Sequence, residues 1–129
     1  VRRPLSVELV WESKALLLIK YSGEVNGQDA YQTLLDIGAD PRFDELKAIL
    51  GDGSAIIKNI ATSEDIEKMI AASRALSKSN PKIKNAIIMG PDSDAQTLIS
   101  FYKFLSEDIE WEVEVFKSEQ EARRWLKGI

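Results

Sequence analysis

The order in which apolar runs and helix caps follow one another constrains this chain more than any single residue does. Val7, Leu9 and Trp11 alternate with Ser6, Glu8 and Glu12, the two-residue period of a strand with one wet face. After the polar break Glu12-Ser13-Lys14, the segment Ala15 to Ile19 is apolar throughout, the pattern of a strand buried on both faces. A link that short joins antiparallel neighbours. Asn26-Gly27-Gln28-Asp29 then reads as an N-cap with an acid three positions on, and Ala30, Tyr31, Leu34, Leu35 and Ile37 follow at helical spacing up to Gly38.

The alternation continues. Asp40-Pro41 marks a loop anchored inward by Phe43, and Ala48-Ile49-Leu50 form a third strand stopped by Gly51-Asp52-Gly53. Ile56, Ile57 and Ile60 place Ser54 to Ala61 against the core without regular structure. Thr62-Ser63-Glu64-Asp65 is a capping box ahead of the stripe Ile66, Met69, Ile70, Ser73, Leu76. Ala86 to Met89 is a fourth strand, and Ser93-x-x-Gln96 caps a third helix. Trp111, Val113 and Val115 alternate with Glu110, Glu112 and Glu114, an acidic edge strand, and Ser118-x-x-Glu121 starts a last helix with Ala122, Trp125 and Leu126 facing in. The expected fold is α/β, ββαβαβαβα, with a mostly parallel five-stranded sheet and an antiparallel first strand, in a single domain over residues 1–129.

Composition narrows the chemistry. The chain has no histidine and no cysteine. That excludes Ser-His-Asp and Cys-His nucleophiles, His-mediated general base catalysis, the usual zinc sites, disulfides and thiolate- or imidazole-ligated haem. A net charge of −4 gives no global support for binding a phosphate backbone, so no nucleic acid is expected. The longest apolar run is far shorter than the roughly 20 residues that span a bilayer, so no transmembrane segment is expected either. With no leader read ahead of the first strand, the expected location is cytoplasmic. No catalytic residue and no cofactor are read from the sequence.

The element order, together with Tyr21-Ser22-Gly23-Glu24-Val25, Asp40-Pro41-Arg42-Phe43, Ile49-Leu50-Gly51-Asp52 and the closing run Val115-Phe116-Lys117-Ser118-Glu119-Gln120-Glu121-Ala122-Arg123-Arg124-Trp125-Leu126, resembles the SpoIIAA-like family of small bacterial proteins. Their fold is the STAS fold of anti-sigma factor antagonists, and it is related to Sec14/CRAL-TRIO lipid-binding domains. The resemblance implies a non-enzymatic regulatory or protein-interaction module with a regulator or kinase as partner. It further implies phosphorylation of a serine at the start of the helix after the third strand, which maps here to Ser63. The Asp before and the Gly after that serine in the antagonists are absent, and Glu64 and Asp65 repel an incoming phosphate. A plain helix cap explains Thr62 and Ser63 equally and is the preferred reading.

Four further constellations stand out. Asp52, Asp92 and Asp94 fall just past strand C-termini and could hold Mg²⁺ through oxygen alone, although turn and cap roles account for each of them. Gly51-x-Gly53 lacks the third glycine of a dinucleotide loop. Tyr21-Ser22-Gly23 stands where a receiver domain needs an acidic pair, and only Lys117 matches such a domain. Lys78, Lys82 and Lys84 read as solvated loop charge.

The third helix is the most informative element, because Phe101 and Phe104 join Leu98, Ile99, Tyr102 and Leu105 to make it apolar on more than one face. Either these phenylalanines pack under the last helix with Trp125, or Leu98, Phe101, Tyr102 and Phe104 line a site for an apolar small molecule or lipid, which the relation to lipid-binding domains also implies. A homodimer, if formed, is expected to use helices or the first hairpin, since the acidic edge discourages sheet continuation.

Overall fold

The computed structural model describes residues 6–129. Its five strands, β1 (Val7–Trp11), β2 (Leu16–Val25), β3 (Ala48–Asn59), β4 (Lys84–Ile88) and β5 (Glu112–Phe116), lie in the order β1-β2-β3-β4-β5. β1 runs antiparallel to β2, pairing Val7 with Tyr21 and Trp11 with Leu17, and every other neighbouring pair is parallel. Three helices, α1 (Gly27–Ala39), α2 (Ser63–Ser79) and α3 (Ser93–Leu105), cover one face, and α4 (Glu119–Trp125) covers the other. The expected α/β fold, with its antiparallel first strand and acidic β5 edge, is the one observed.

Each face has its own core because side chains alternate along the central strands. Leu17, Ile19 and Ile49 point toward α1–α3, joined there by Phe43, Ile66, Ile70 and Tyr102. Leu18, Ala48, Leu50, Ala86 and Ile88 point toward α4, where Ala122 and Leu126 close over them. Asn80, at the end of α2, ties the lower rim together: its side-chain amide donates to the carbonyls of Phe43 and Leu46, both at 2.8 Å, and its own carbonyl accepts from the Trp111 indole at 2.8 Å. At the opposite sheet edge Arg42 stacks over the Trp11 ring, 4.1 Å from its centroid.

The local chemistry of the helix starts follows the sequence closely. Asn26, Thr62 and Ser118 accept from the backbone N–H groups of Asp29, Asp65 and Glu121 respectively. At α2 the capping box is complete, with Asp65 accepting from the Thr62 N–H at 2.9 Å. At α3 the cap is Asp92, which accepts from the Ala95 N–H at 2.8 Å, and not Ser93. From the N-cap position the Asp92 carboxylate reaches the N3 amide, whereas Ser93 is already the first helical residue. Gly38 does not end α1 either. It lies inside the helix, where a Cβ would run into the Leu76 side chain, so its role is to let α1 and α2 approach.

The largest departure is β3. Gly51-Asp52-Gly53 does not stop it; the strand continues to Asn59, and Ser54 to Asn59 pairs with the extended end of β2. Two register shifts, between Lys20 and Ser22 and between Gly23 and Glu24, each put one extra residue into β3. Gly23 sits at the second with φ +69°, a conformation that favours glycine. The irregular hydrophobic spacing of Ser54–Ala61 is therefore a bulged strand whose inside-outside alternation is broken. Ile56 is buried, while Ile57 and Ile60 are exposed rather than packed on the core.

Candidate functional site

The same two glycines that mimic a turn border an apolar internal space. Gly51 and Gly53 follow Ile49 on the face of β3 that looks toward α1–α3, so two consecutive inward positions carry no side chain. The result is a cavity of about 110 Å³. Ile19 and Tyr21 of β2, Ile66 and Met69 of α2, and Leu98 and Tyr102 of α3 form much of its wall. Its lining also reaches Asn59, Ala61 and Ile99, which are only partly buried and mark the rim at the C-terminal ends of β2 and β3. This is the end of an open α/β sheet at which ligands generally bind.

The polar groups at the inner end are few and unequal. The Tyr102 hydroxyl lies 2.8 Å from Ser73 Oγ, with the Asn85 side chain nearby in the same cavity wall. The Tyr21 hydroxyl has no hydrogen-bond partner among the described residues, and burial, with a smaller contribution from nearby Tyr102, pushes its pKa up. Burial also raises Tyr102, against the opposing effect of its hydrogen bonds. Both phenols are therefore neutral at physiological pH, and the Tyr21 hydroxyl, on a half-buried residue, is free to donate to whatever occupies the space beside it. Among the described residues no Lys, Arg, Asp or Glu lines the cavity.

The residues singled out on α3 divide. Leu98 and Tyr102 line the cavity. Phe101 packs on the core beside it, and Phe104 is 67% exposed on the outer side of the helix. Neither phenylalanine packs under the last helix with Trp125, because α3 and α4 lie on opposite faces of the sheet. Trp125 instead meets Phe116, with ring centroids 5.6 Å apart, and the Lys84 ammonium sits 5.1 Å above it. Lys84 is thus part of a cation–π contact rather than loop charge alone. Tyr21, Gly51 and Gly53 are cavity residues that the sequence pattern hides: the signal is a stripe of missing side chains on one strand face, masked by the resemblance of Gly-Asp-Gly to a turn.

The acidic candidates do not converge. Asp52 accepts from the Ser54 N–H at 2.9 Å, Asp92 caps α3, and Asp94 is exposed in the first turn of that helix. Among the described residues no group of three carboxylates is placed to hold a metal ion. At α2 the two adjacent hydroxyls are also separated in role. Thr62 carries the cap, while Ser63, the first residue of the helix, is exposed and makes no side-chain hydrogen bond among the described residues. Ala61 at the cavity rim and Ile66 in its wall bracket this helix start.

No protein-family model matches the chain, and no curated protein matches it. Solved structures do. The anti-sigma factor antagonist SpoIIAA in its unphosphorylated form superposes with a TM-score of 0.63 at 15% identity, covering 95% of this chain and 97% of that one. The fold is the SpoIIAA-like, STAS-type fold. The Bacillus cell fate determinant SpoIIAA in its phosphorylated form gives 0.59 at 14% identity, over 94% of this chain and 99% of that chain. An uncharacterized DUF3478 protein with a SpoIIAA-like fold from Shewanella loihica PV-4 gives 0.52 at 16% identity, over 93% and 91%. At these identities the SpoIIAA-like likeness is one of backbone architecture, and the site must be argued from this chain's own residues. Among the described residues no helix is long and apolar enough to cross a membrane.

Proposed function

We propose that this SpoIIAA-like chain is a non-enzymatic regulatory module that acts by binding a protein partner, with Ser63 as the residue whose phosphorylation regulates it. The observation that carries this reading is the division of labour at the start of α2. Thr62 satisfies the helix cap alone, so the Ser63 hydroxyl is exposed and uncommitted. A phosphate there would sit at the positive end of a 17-residue helix, beside free backbone N–H groups. Asp65 is held by the Thr62 N–H and is less available to repel it, leaving exposed Glu64 as the main opposing charge. The existence of phosphorylated and unphosphorylated SpoIIAA structures supports the same reading by analogy.

The test is incubation of the protein with ATP and candidate serine kinases or extract of its own host, followed by intact mass and site mapping. One phosphoryl group that is lost in Ser63→Ala but kept in Thr62→Ser supports the proposal. Absence of phosphate on Ser63 under all of these conditions removes its regulatory part. A second reading, that the protein binds a small apolar molecule, is favoured by one specific observation, the glycine-lined cavity between β3 and α1–α3. Its volume of about 110 Å³, of the same order as the cavity of about 150 Å³ that accepts benzene in an engineered protein, suits a single ring open to the rim rather than a lipid acyl chain.

A further inference from the structure

We infer that this cavity is the binding site of a small uncharged molecule, about one aromatic ring in size, carrying a hydrogen-bond acceptor for the Tyr21 hydroxyl; the inference rests on the second reading above and gives it a ligand class. Size follows from the space. The cavity of about 110 Å³ opens at a rim formed by Asn59, Ala61 and Ile99, so a single ring can enter with a short substituent reaching the rim. Neutrality follows from the lining. An ion placed among Ile19, Ile49, Ile56, Ile66 and Leu98 would lose its hydration with no countercharge to replace it.

The acceptor follows from accounting for the donors. Ser73 already engages the Tyr102 hydroxyl at 2.8 Å, whereas Tyr21, a half-buried residue in the cavity wall, makes no side-chain hydrogen bond among the described residues. Its ring flanks the space above Gly51, where a Cβ would come only within 3.9 Å of Tyr21 Cε2. A ligand that fills the cavity takes water away from this hydroxyl, and a ligand carbonyl or ether oxygen replaces the lost hydrogen bond where an all-carbon ligand cannot. The ligand class is therefore an aryl ketone, aldehyde, ester or ether.

Two isosteric probes, acetophenone and α-methylstyrene, together with benzoate, test this by NMR titration of the full chain. Both neutral probes are expected to bind, with intermolecular NOEs to the Ile56 and Ile66 methyl groups, and benzoate is not. Tyr21→Phe is expected to weaken acetophenone about three- to tenfold, the worth of one neutral hydrogen bond, and to leave α-methylstyrene unchanged. Gly51→Val should abolish both; the NOEs locate the probes in the wild-type protein even if that variant does not fold. Failure of both neutral probes to bind removes the apolar-ligand reading and the inference with it. Binding of both, with acetophenone insensitive to Tyr21→Phe, leaves that reading standing and overturns the acceptor assignment. Benzoate binding as tightly as acetophenone overturns neutrality.

Discussion

Two glycines on one face of one strand should respond to alanine with opposite signs. At Gly51 a Cβ would meet only Ala86 O and Tyr21 Cε2, both at 3.9 Å, which is ordinary contact, and the backbone is not in the left-handed region. The new methyl enters empty space. Replacing a strand glycine recovers roughly 0.5–1 kcal/mol of backbone entropy, and a buried methyl adds a fraction of the ~0.8 kcal/mol expected for full burial. Gly51→Ala should therefore stabilise by about 1 kcal/mol and raise the Tm by roughly 4 °C, given the unfolding entropy of a domain this size. At Gly53 the same methyl would stand 2.9 Å from the carbonyl oxygen of Ile88, a backbone atom fixed within β4, and 3.3 Å from Ile56 Cδ1. The strands must separate to admit it, at a cost of about 1–3 kcal/mol. Urea titration and thermal melts of both variants, under identical conditions, read the difference. Destabilisation by Gly51→Ala would mean that the space above Gly51 is filled in solution, and stabilisation by Gly53→Ala would mean that β3 and β4 are not in the register described.

Asn80→Ala should destabilise by about 3 kcal/mol in urea unfolding, because it strands the carbonyls of Phe43 and Leu46 in the core while keeping the Trp111 contact, which uses the Asn80 backbone. Tyr102→Phe should cost about 1–2 kcal/mol, and a double-mutant cycle with Ser73→Ala should show a smaller loss than the sum, since either change alone leaves one partner of their 2.8 Å hydrogen bond. Glu12 forms a two-pronged contact with Arg123, and that guanidinium holds its carboxyl below the usual carboxylate range. A depressed folded-state pKa contributes stability above the ordinary value of 4.5 that is lost as the pH falls through the folded value. Glu12→Gln should thus cost less than about 1 kcal/mol at neutral pH, the pair being partly exposed, and nothing once the wild-type carboxyl is protonated in acid; equal losses at both pH values would refute the ion-pair account. Thr62→Ala should lower stability by about 1 kcal/mol through loss of the α2 cap, whereas Ser63→Ala, which touches no cap, should be near neutral in the same melt.

The fold was legible because its rules are local. Each apolar run in Leu16–Ile19, Ala48–Leu50 and Ala86–Ile88 is short, buried on both faces and followed by a helix start, and that order leaves little besides a parallel sheet with an antiparallel first strand. The site was less legible because it consists of what is missing. A Gly-Asp-Gly triplet followed by serine satisfies the rules for a turn, and only the neighbouring strands, β2 pairing through Lys20 and Asp52 and β4 through Ile88 and Asp52, keep it extended. Tertiary pairing overrode local preference there. Phe101 and Phe104 misled for the converse reason: their apolar character is visible, but which helix face meets the sheet is decided by the position of α3 relative to α2. The caps at Asn26 and Thr62 could be read directly because each involves residues within one turn.

The alternation that divides the core also divides the consequences of change. Along β3, Ala48 and Leu50 are inward-facing toward α4, in a layer closed by Ala122 and Leu126, and they act on stability alone. Ile49, Gly51 and Gly53, interleaved with them, border the cavity. The wall across from these residues is the first two turns of α2, through Ile66 and Met69, and the helix opens at Thr62 and Ser63. The proposed partner regulation at Ser63 and the proposed ligand binding above Gly51 are therefore not alternative uses of distant surfaces, since both would bear on the same helix start. Any event that displaces the first turn of α2 changes the cavity wall, and by linkage a ligand that fixes Ile66 and Met69 must favour the arrangement of Ser63 that fits it, with the same free energy in both directions.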